Sequence, residues 1–212
     1  MDMTSIFIIA TLIISIILHE VAHGYAANWL GDPTARLSGR LTLNPLPHID
    51  LLGSVIIPGL LFITNAGMLF GWAKPVPYNP YNLRNRKWGE ALVAAAGPGT
   101  NLLIALIFGL ALRLISPNDA TPVVVIVAYI LYSNILLAFF NLIPIPPLDG
   151  SKVLAAFLPI RAQMRFHEIE MRMQQFGLIV AFLCIFLFIN LLSGPFHRLI
   201  DAVFFLLTGI SF

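Results

Sequence analysis

Apolar residues along the chain fall into long runs separated by polar segments that contain proline. A helix needs about 20 predominantly apolar residues to cross a bilayer. Runs of this kind predict four membrane helices, at residues 5–30, 89–115, 122–143 and 175–193. A further apolar tail, 196–212, is marginal in length for a crossing.

The pattern between the first two runs is less regular. Residues 34–50 mix polar and apolar side chains, and their alternation near 40–43 permits a short strand. Residues 51–72 are apolar but are broken by Pro58-Gly59, which allows a re-entrant hairpin that leaves the membrane on the side it entered. Non-helical backbone at that depth is tolerated only against protein or a water-filled cavity. We therefore expect this hairpin to border an aqueous cleft.

The distribution of lysine and arginine predicts the orientation of the chain through the positive-inside rule. If 51–72 is re-entrant, ten of the 12 basic residues lie on one side, and if it crosses, eight of them do. The rule therefore favours the hairpin, with the N-terminus outside. Arg113 and Arg198 then lie outside, and the cytoplasmic set is Arg36, Arg40, Lys74, Arg84, Arg86, Lys87, Lys152, Arg161, Arg165 and Arg172.

Composition indicates the same class of protein. The chain is 58% hydrophobic and only 10% charged, whereas a soluble domain carries about 25% charged residues. We predict a single all-α polytopic membrane domain over 1–212, with a three-helix core and one or two further C-terminal membrane helices. The absence of targeting features suggests a prokaryotic cell membrane.

Charge and cysteine content exclude some functions. The net charge is only +2 and no basic stripe with interleaved aromatic residues occurs, so nucleic acid is not an expected partner. The one cysteine, Cys184, excludes an intramolecular disulfide and a metal cluster with several cysteines. The expected surroundings are the lipid bilayer, and the oligomeric state is left open.

The first apolar run contains His19-Glu20-Val21-Ala22-His23. Ionisable side chains are costly in hydrocarbon and therefore mark functional sites. Positions i and i+4 lie one turn apart on one face of a helix, so His19 and His23 can bind one metal ion with Glu20 beside them as a general base. The alternative is two buried histidines bonded to neighbouring carbonyl groups.

A second polar group follows the third run. Catalytic zinc usually has three protein ligands and an open position for water. Asp149 is a candidate third ligand, because a chain that crosses as predicted brings it to the depth of the histidines; its alternative role is to cap a helix that begins at Gly150. Asn141 is a candidate hydrogen-bond donor to the oxyanion, or else a partner for backbone freed by Pro144.

Three motifs in this order resemble the site-2 protease family of intramembrane zinc metalloproteases. His19-Glu20-Val-Ala-His23 is similar to its His-Glu-x-x-His helix, and Asn141-Leu-Ile-Pro144 through Leu148-Asp149-Gly150 to its Asn-x-x-Pro and Leu-Asp-Gly signature. Ala96-Gly97-Pro98-Gly99-Thr100-Asn101 resembles its Gly-Pro-x-x-Asn segment. The resemblance covers about 5–158, and no PDZ or CBS domain is recognisable in the chain.

The resemblance implies an endopeptidase that cleaves membrane-anchored substrates in or near their transmembrane segments, close to the cytoplasmic face. It implies one zinc ion per chain held by His19, His23 and Asp149, with Glu20 as the base and Asn141 assisting. Asn101 is a candidate for bonding to a metal ligand, although helix packing is the more common role of such a residue. A membrane metal transporter and a non-catalytic zinc-binding scaffold are the alternative functions.

Other segments have more general interpretations. His48, just before the hairpin, can approach the metal as a gating or ligand-supporting group, although most loop histidines do neither. Residues 72–81 combine aromatic residues with a lysine, which is typical of an interfacial anchor, and the family likeness adds a possible extended edge for an unwound substrate. Residues 160–175 predict an amphipathic helix on an anionic leaflet, leading into C-terminal helices within 160–212.

Overall fold

The computed structural model describes residues 3–64, 71–115, 121–166, 168–169, 171–172 and 193–210. Within these ranges the chain is helical and forms no strand, which confirms the all-α prediction. Residues 160–166 are helical as well, and the predicted span 175–193 with Cys184 lies outside the described residues except for Ser193. The helices that position the site are α1 (Met3–Trp29), α2 (Thr34–Leu37), α3 (Ile57–Ile63), α4 (Arg86–Leu114), α5 (Pro122–Asn141), α6 (Asp149–Phe157) and α7 (Ser193–Thr208).

Three of these helices are long and apolar enough to cross a membrane. The qualifying stretches are Phe7–Trp29, Lys87–Leu114 and Pro122–Asn141, so the predicted first, second and third spans are confirmed. Side-chain caps define where two of them begin: the amide oxygen of Asn85 accepts the Trp88 N–H at 3.2 Å, and the Thr121 hydroxyl accepts the Val124 N–H at 3.4 Å. Helices α1, α4 and α5 each contact the other two and form the predicted three-helix core.

A hydrophobic core lies where α7 packs against α4 and α5. Leu112, Leu131, Ile135, Ile200 and Phe204 have no exposed surface there. Helix α7 has 16 residues and is therefore about 24 Å long, short of the roughly 30 Å of a hydrocarbon core. The C-terminal tail is thus a helix held by packing against the central bundle.

The hairpin between α2 and α4 turns back on itself. A π-helical turn, Leu51–Ile56, leads into α3, and the chain returns from residue 71 as a segment that is neither helix nor strand. The Trp72 N–H donates to the Gly53 carbonyl at 3.1 Å, and the Lys74 N–H donates to the His48 carbonyl at 2.8 Å. The segment therefore ends beside its own start, as expected of a re-entrant hairpin.

The short strand that the alternation at 40–43 permits does not form. The backbone N–H of Arg40 instead donates to the Ala35 carbonyl at 3.0 Å, which closes a turn after α2. The guanidinium of Arg40 donates to the carbonyl groups of Lys74 at 2.8 Å and Pro75 at 3.2 Å. Side-chain bonds to the returning segment therefore occupy the place of a backbone ladder, and that prediction is wrong.

Asp32 ties the end of α1 to the chain that precedes α4. Its fully buried carboxylate accepts four hydrogen bonds, from the Thr34 N–H and hydroxyl at 3.2 and 2.5 Å, the Asn79 N–H at 2.6 Å and the Asn82 amide at 2.8 Å. Burial raises the pKa of Asp32, but the bonds from Thr34, Asn82 and Asn79 outweigh it and the net pKa is lowered. The charged form therefore holds this junction together.

Replacing Asp32 with alanine is expected to destabilise the protein by about 2 kcal/mol, because its donors lose a charged buried acceptor. Since the folded pKa is lowered, this contribution is present above about pH 4 and is lost as the pH falls below that value. Thermal unfolding in detergent at pH 7 and pH 3.5 measures both effects. Asp201→Ala, at an exposed position of α7, is the control; equal midpoints for the two variants would contradict the assigned role of Asp32.

Candidate active site

Two imidazoles and one carboxylate converge at the centre of the bundle. His19 and His23, one turn apart on α1, are 6% and 9% exposed, and their ring centroids lie 4.6 Å apart at nearly a right angle. Oδ2 of Asp149 lies 3.1 Å from Nε2 of His19 and 3.3 Å from Nε2 of His23. The structure thus brings together all three residues that the motifs predict as metal ligands.

Asp149 does not cap a helix. It is the first residue of α6, where Leu148 holds the capping position without a side-chain bond, and its carboxylate is directed at the histidines. Burial raises the pKa of Asp149, but the hydrogen bonds and charges of His19 and His23 outweigh it and hold the pKa well below its usual range. The carboxylate is therefore in the deprotonated form that a metal ligand requires.

The far side of each imidazole has its own hydrogen-bond partner on α4. Nδ1 of His23 donates to the Val93 carbonyl at 2.7 Å, and Nδ1 of His19 bonds to Oδ1 of Asn101 at 2.6 Å. A partner at Nδ1 holds the ring and leaves Nε2 for a metal, as is general in protein metal sites. Asn101 therefore lies where a residue that supports a metal ligand must lie.

Gly97 makes room for both rings. A methyl group at this position of α4 would lie 2.5 Å from Cε1 and Nε2 of His23 and 2.7 Å from Cε1 of His19. Real Cβ contacts of that length do not occur, so only glycine lets α4 pack this closely against the pair. Gly97 therefore lets α4 approach both candidate metal ligands closely.

The donor set fits a tetrahedral divalent ion of zinc's size. Two ligand atoms that each lie about 2.1 Å from such an ion are about 3.4 Å apart, close to the 3.1 and 3.3 Å from Asp149 to the two histidines. Two imidazole nitrogens and a carboxylate oxygen are ligand types that zinc prefers. Three protein ligands also leave a coordination position for water.

Glu20 lies beside this group. One carboxylate oxygen of Glu20 and one ring nitrogen from each of His19 and His23 all lie within 4.8 Å of one another. Oε2 of Glu20 accepts the Val76 N–H at 3.0 Å, so the returning arm of the hairpin holds the carboxylate at the cavity. The side chain is half-buried, which leaves it access to a water molecule.

Two adjoining cavities meet at the converging side chains. A polar cavity of about 190 Å³ includes Tyr78 and Lys152 in its wall, and Lys152 Nζ lies 5.3 Å from the Tyr78 ring centroid. A cavity of about 590 Å³ is lined mainly by apolar side chains. The residues common to both walls are His19, Glu20, Pro75, Asn141 and Pro147.

Asn141 and His48 have different surroundings. Asn141 lines both cavities, and its amide donates to the Leu137 carbonyl of its own helix at 2.9 Å. His48 lines neither cavity; it is 2% exposed and its Nε2 bonds to the Thr42 carbonyl at 2.9 Å. The structure therefore brings Asn141 to the site and places His48 in the loop before the hairpin.

The motifs do not predict every residue of the site. The carbonyl of Val93 bonds His23, and no side-chain pattern can reveal a backbone acceptor. Ser15 and Asn134 lie behind Asn101 in a buried hydrogen-bonded group. Polar residues within otherwise apolar runs were the available signal for these two, because such residues are expensive in a membrane helix.

Comparison with known proteins places the chain in a family. Residues 115–184 match peptidase family M50. YwhC of Bacillus subtilis, which is named as a zinc metalloprotease, is 36% identical over 167 residues, or 74% of this chain and 73% of that protein. Rip2 of Mycobacterium tuberculosis, named in the same way, is 29% identical over 206 residues, or 97% of this chain and 75% of that protein. No solved structure matches the chain significantly.

The fold and site define an integral membrane protein with a candidate metal centre inside its helix bundle. The extent and identity of the match to YwhC show that the chain belongs to peptidase family M50 and is a metalloendopeptidase of the site-2 protease type. The family predicted from the three motifs is thereby confirmed.

Proposed function

We propose that this protein is a zinc-dependent intramembrane endopeptidase that cleaves membrane-anchored proteins in or near their transmembrane segments. His19, His23 and Asp149 hold one zinc ion per chain. The observation that carries the proposal is the convergence of Asp149 Oδ2 on both histidine Nε2 atoms, at 3.1 and 3.3 Å, inside a membrane-type helix bundle. The names of the relatives support zinc as the metal.

Glu20 and Asn141 have separate roles in the proposed reaction. Zinc at this site supplies Lewis acidity, which polarises a carbonyl group and lowers the pKa of water. Glu20 accepts the proton of the attacking water and then donates it to the leaving peptide nitrogen. Asn141, on the wall common to both cavities, turns its amide from the Leu137 carbonyl towards the oxygen of the tetrahedral intermediate.

The shape of the site suits an extended substrate. Residues 71–79, which are neither helix nor strand, contribute Trp72, Ala73, Pro75, Val76 and Tyr78 to the walls of the cavities. The larger cavity, with Leu52, Leu137 and Phe140 among its apolar residues, suits the apolar side chains of a transmembrane segment. A helical substrate hides its peptide bonds, so it must unwind before a carbonyl can reach Glu20 and the metal ligands.

The surroundings of the protein follow from the same proposal. The cleft lies nearer the cytoplasmic side of a prokaryotic cell membrane, because the basic residues then gather on the cytoplasmic face. Within the part of the chain that the structure describes, one cluster of at least three histidine or acidic side chains can hold a metal, and it is the group around His19. A permeation pathway would need further ligands along its course, so this observation favours a protease over a transporter.

Cleavage of a single-span model substrate by the purified protein in liposomes tests the proposal. Chelator treatment is expected to abolish cleavage, and stoichiometric zinc to restore it, because the three ligands bind the ion that activates the substrate. Metal analysis should find one zinc per chain, and Asp149→Ala should lower that content with no restoration of cleavage. Cleavage that persists without metal, or zinc transport across liposomes with no cleavage of any substrate, would reject the proposal.

A further inference from the structure

Buried polar side chains from three helices lie behind His19. They are Ser15 on α1, Asn101 on α4 and Asn134 on α5; both asparagines are fully buried and Ser15 is 3% exposed. Polar groups in membrane helices are costly unless they are bonded to one another. Here they form a chain of hydrogen bonds that ends at the imidazole of His19.

The orientation of the Asn134 side-chain amide is fixed by its hydrogen-bond acceptors. Its Nδ2 donates to the backbone carbonyl of Ile130 at 2.8 Å and to Oγ of Ser15 at 2.9 Å. A backbone carbonyl only accepts hydrogen bonds, so the amide nitrogen of Asn134 must face Ile130. Its Oδ1 is thereby directed at Asn101.

The orientation of the Asn134 amide in turn fixes the orientation of the Asn101 amide. Nδ2 of Asn101 donates to Oδ1 of Asn134 at 2.8 Å and to the Ser15 carbonyl at 3.4 Å. Because both of these groups are acceptors, Oδ1 of Asn101 faces Nδ1 of His19 at 2.6 Å. An oxygen at that distance requires a hydrogen on Nδ1, so Nε2, the atom that lies 3.1 Å from Asp149, is the nitrogen that can bind a metal once it gives up any hydrogen of its own.

We infer that Ser15, Asn134 and Asn101 form a hydrogen-bond relay that holds His19 in the tautomer able to bind metal through Nε2. His23 needs no relay, because its Nδ1 bonds directly to the Val93 carbonyl, which cannot reverse. Rotation of the Asn101 amide by half a turn would present its NH₂ to His19, and the shorter bond to Asn134, with the longer one to the Ser15 carbonyl, opposes this. Asn134 and Ser15 are therefore positioning residues, and the inference rests on the proposed metal site but not on the reaction.

Zinc affinity of the full chain in detergent, measured by competition with a chelator, tests the relay. Asn101→Leu is expected to weaken zinc binding by about 10–100-fold, as the loss of a partner of a metal ligand does in other proteins. Asn134→Leu should weaken it by a smaller factor. Because Asn134 acts through Asn101, the double variant should bind zinc as weakly as Asn101→Leu alone, whereas independent structural roles would give additive losses.

Nitrogen NMR of labelled histidine in the metal-free protein measures the tautomer directly. Nδ1 of His19 should carry a hydrogen in the wild type, whether or not Nε2 also carries one towards Asp149, and Nδ1 should lose its hydrogen in part of the molecules of Asn134→Leu. Ser133→Ala, at the neighbouring position of α5, is the matched control, and Leu131→Ala reports what general destabilisation of the core does to zinc affinity.

Three results would overturn the relay: additive losses in the double variant, an unchanged tautomer in Asn134→Leu, or equal losses of zinc affinity in Leu131→Ala and Asn134→Leu. A wild-type protein that binds no zinc would reject the proposed function instead. The tautomer of metal-free His19 would still decide the relay in that case, so the two failures are distinguishable.

Discussion

Glu20→Gln is expected to lower the rate of peptide hydrolysis by about 10²–10⁴-fold, the range that general-base catalysis contributes, while zinc remains bound. Glutamine has the shape of glutamate, and its amide oxygen can still accept the Val76 N–H that Glu20 accepts at 3.0 Å. The substitution therefore removes the proton acceptor but keeps the contact that ties the hairpin arm to α1. The rate of substrate cleavage and the zinc content, measured on one preparation, test both parts of this expectation.

Glu168→Gln, at an exposed position outside the site, is the matched control and should cleave at the wild-type rate. Full activity in Glu20→Gln would exclude Glu20 as the base. Loss of zinc from Glu20→Gln would assign the side chain to the metal itself. A non-catalytic zinc scaffold should tolerate the change in every assay, so this variant also separates that alternative from a protease.

Gly97→Ala is expected to remove most bound zinc and, with it, nearly all activity. The added methyl group would lie 2.5 Å from the His23 ring and 2.7 Å from the His19 ring, so the rings or α4 must shift. Added carbon atoms in a well-packed region cost about 1–3 kcal/mol, and here the displaced rings belong to two proposed metal ligands. Zinc content and affinity measured on the purified variant are the decisive quantities.

Gly99→Ala provides a closely matched control for this prediction. It lies two residues further along α4, and a methyl group there would meet nothing within 4 Å. Alanine is favoured over glycine inside a helix by about 0.5–1 kcal/mol, so Gly99→Ala should bind zinc normally and unfold at an equal or higher temperature. Equal zinc affinity in the two variants would mean that α4 can move away from the histidines at no cost.

The convergence of the three candidate metal ligands could be predicted because their signals are local or follow from simple topology. Spacing on one helix pairs His19 with His23, and the direction of the third span brings Asp149 to their depth. The lengths of the apolar runs likewise predict α1, α4 and α5 to within a few residues at each end. In these parts the residue order and the physics of a bilayer leave few alternatives.

The contacts that surround these three residues depend on how each helix is rotated about its axis. Asn101 bonds His19, and Gly97 contacts both imidazoles, only because one face of α4 is turned towards α1. No periodic pattern indicates that face in a helix that is apolar nearly all round. The position of His48 could not be predicted for a related reason. A loop histidine can form its hydrogen bonds within the loop rather than at the site, and Nε2 of His48 bonds to the Thr42 carbonyl.

The separation of the ligands along the chain bears on how the protein is made. His19 and Asp149 are 130 positions apart, and α4 and α5 lie between them in the chain, so both helices are synthesised before Asp149. When only His19 and His23 have been synthesised, the chain is therefore one helix that lacks the third proposed metal ligand. The proposed metal site can therefore be completed only late in synthesis, after the three spanning helices have been made, and a shorter growing chain lacks one of the three proposed ligands.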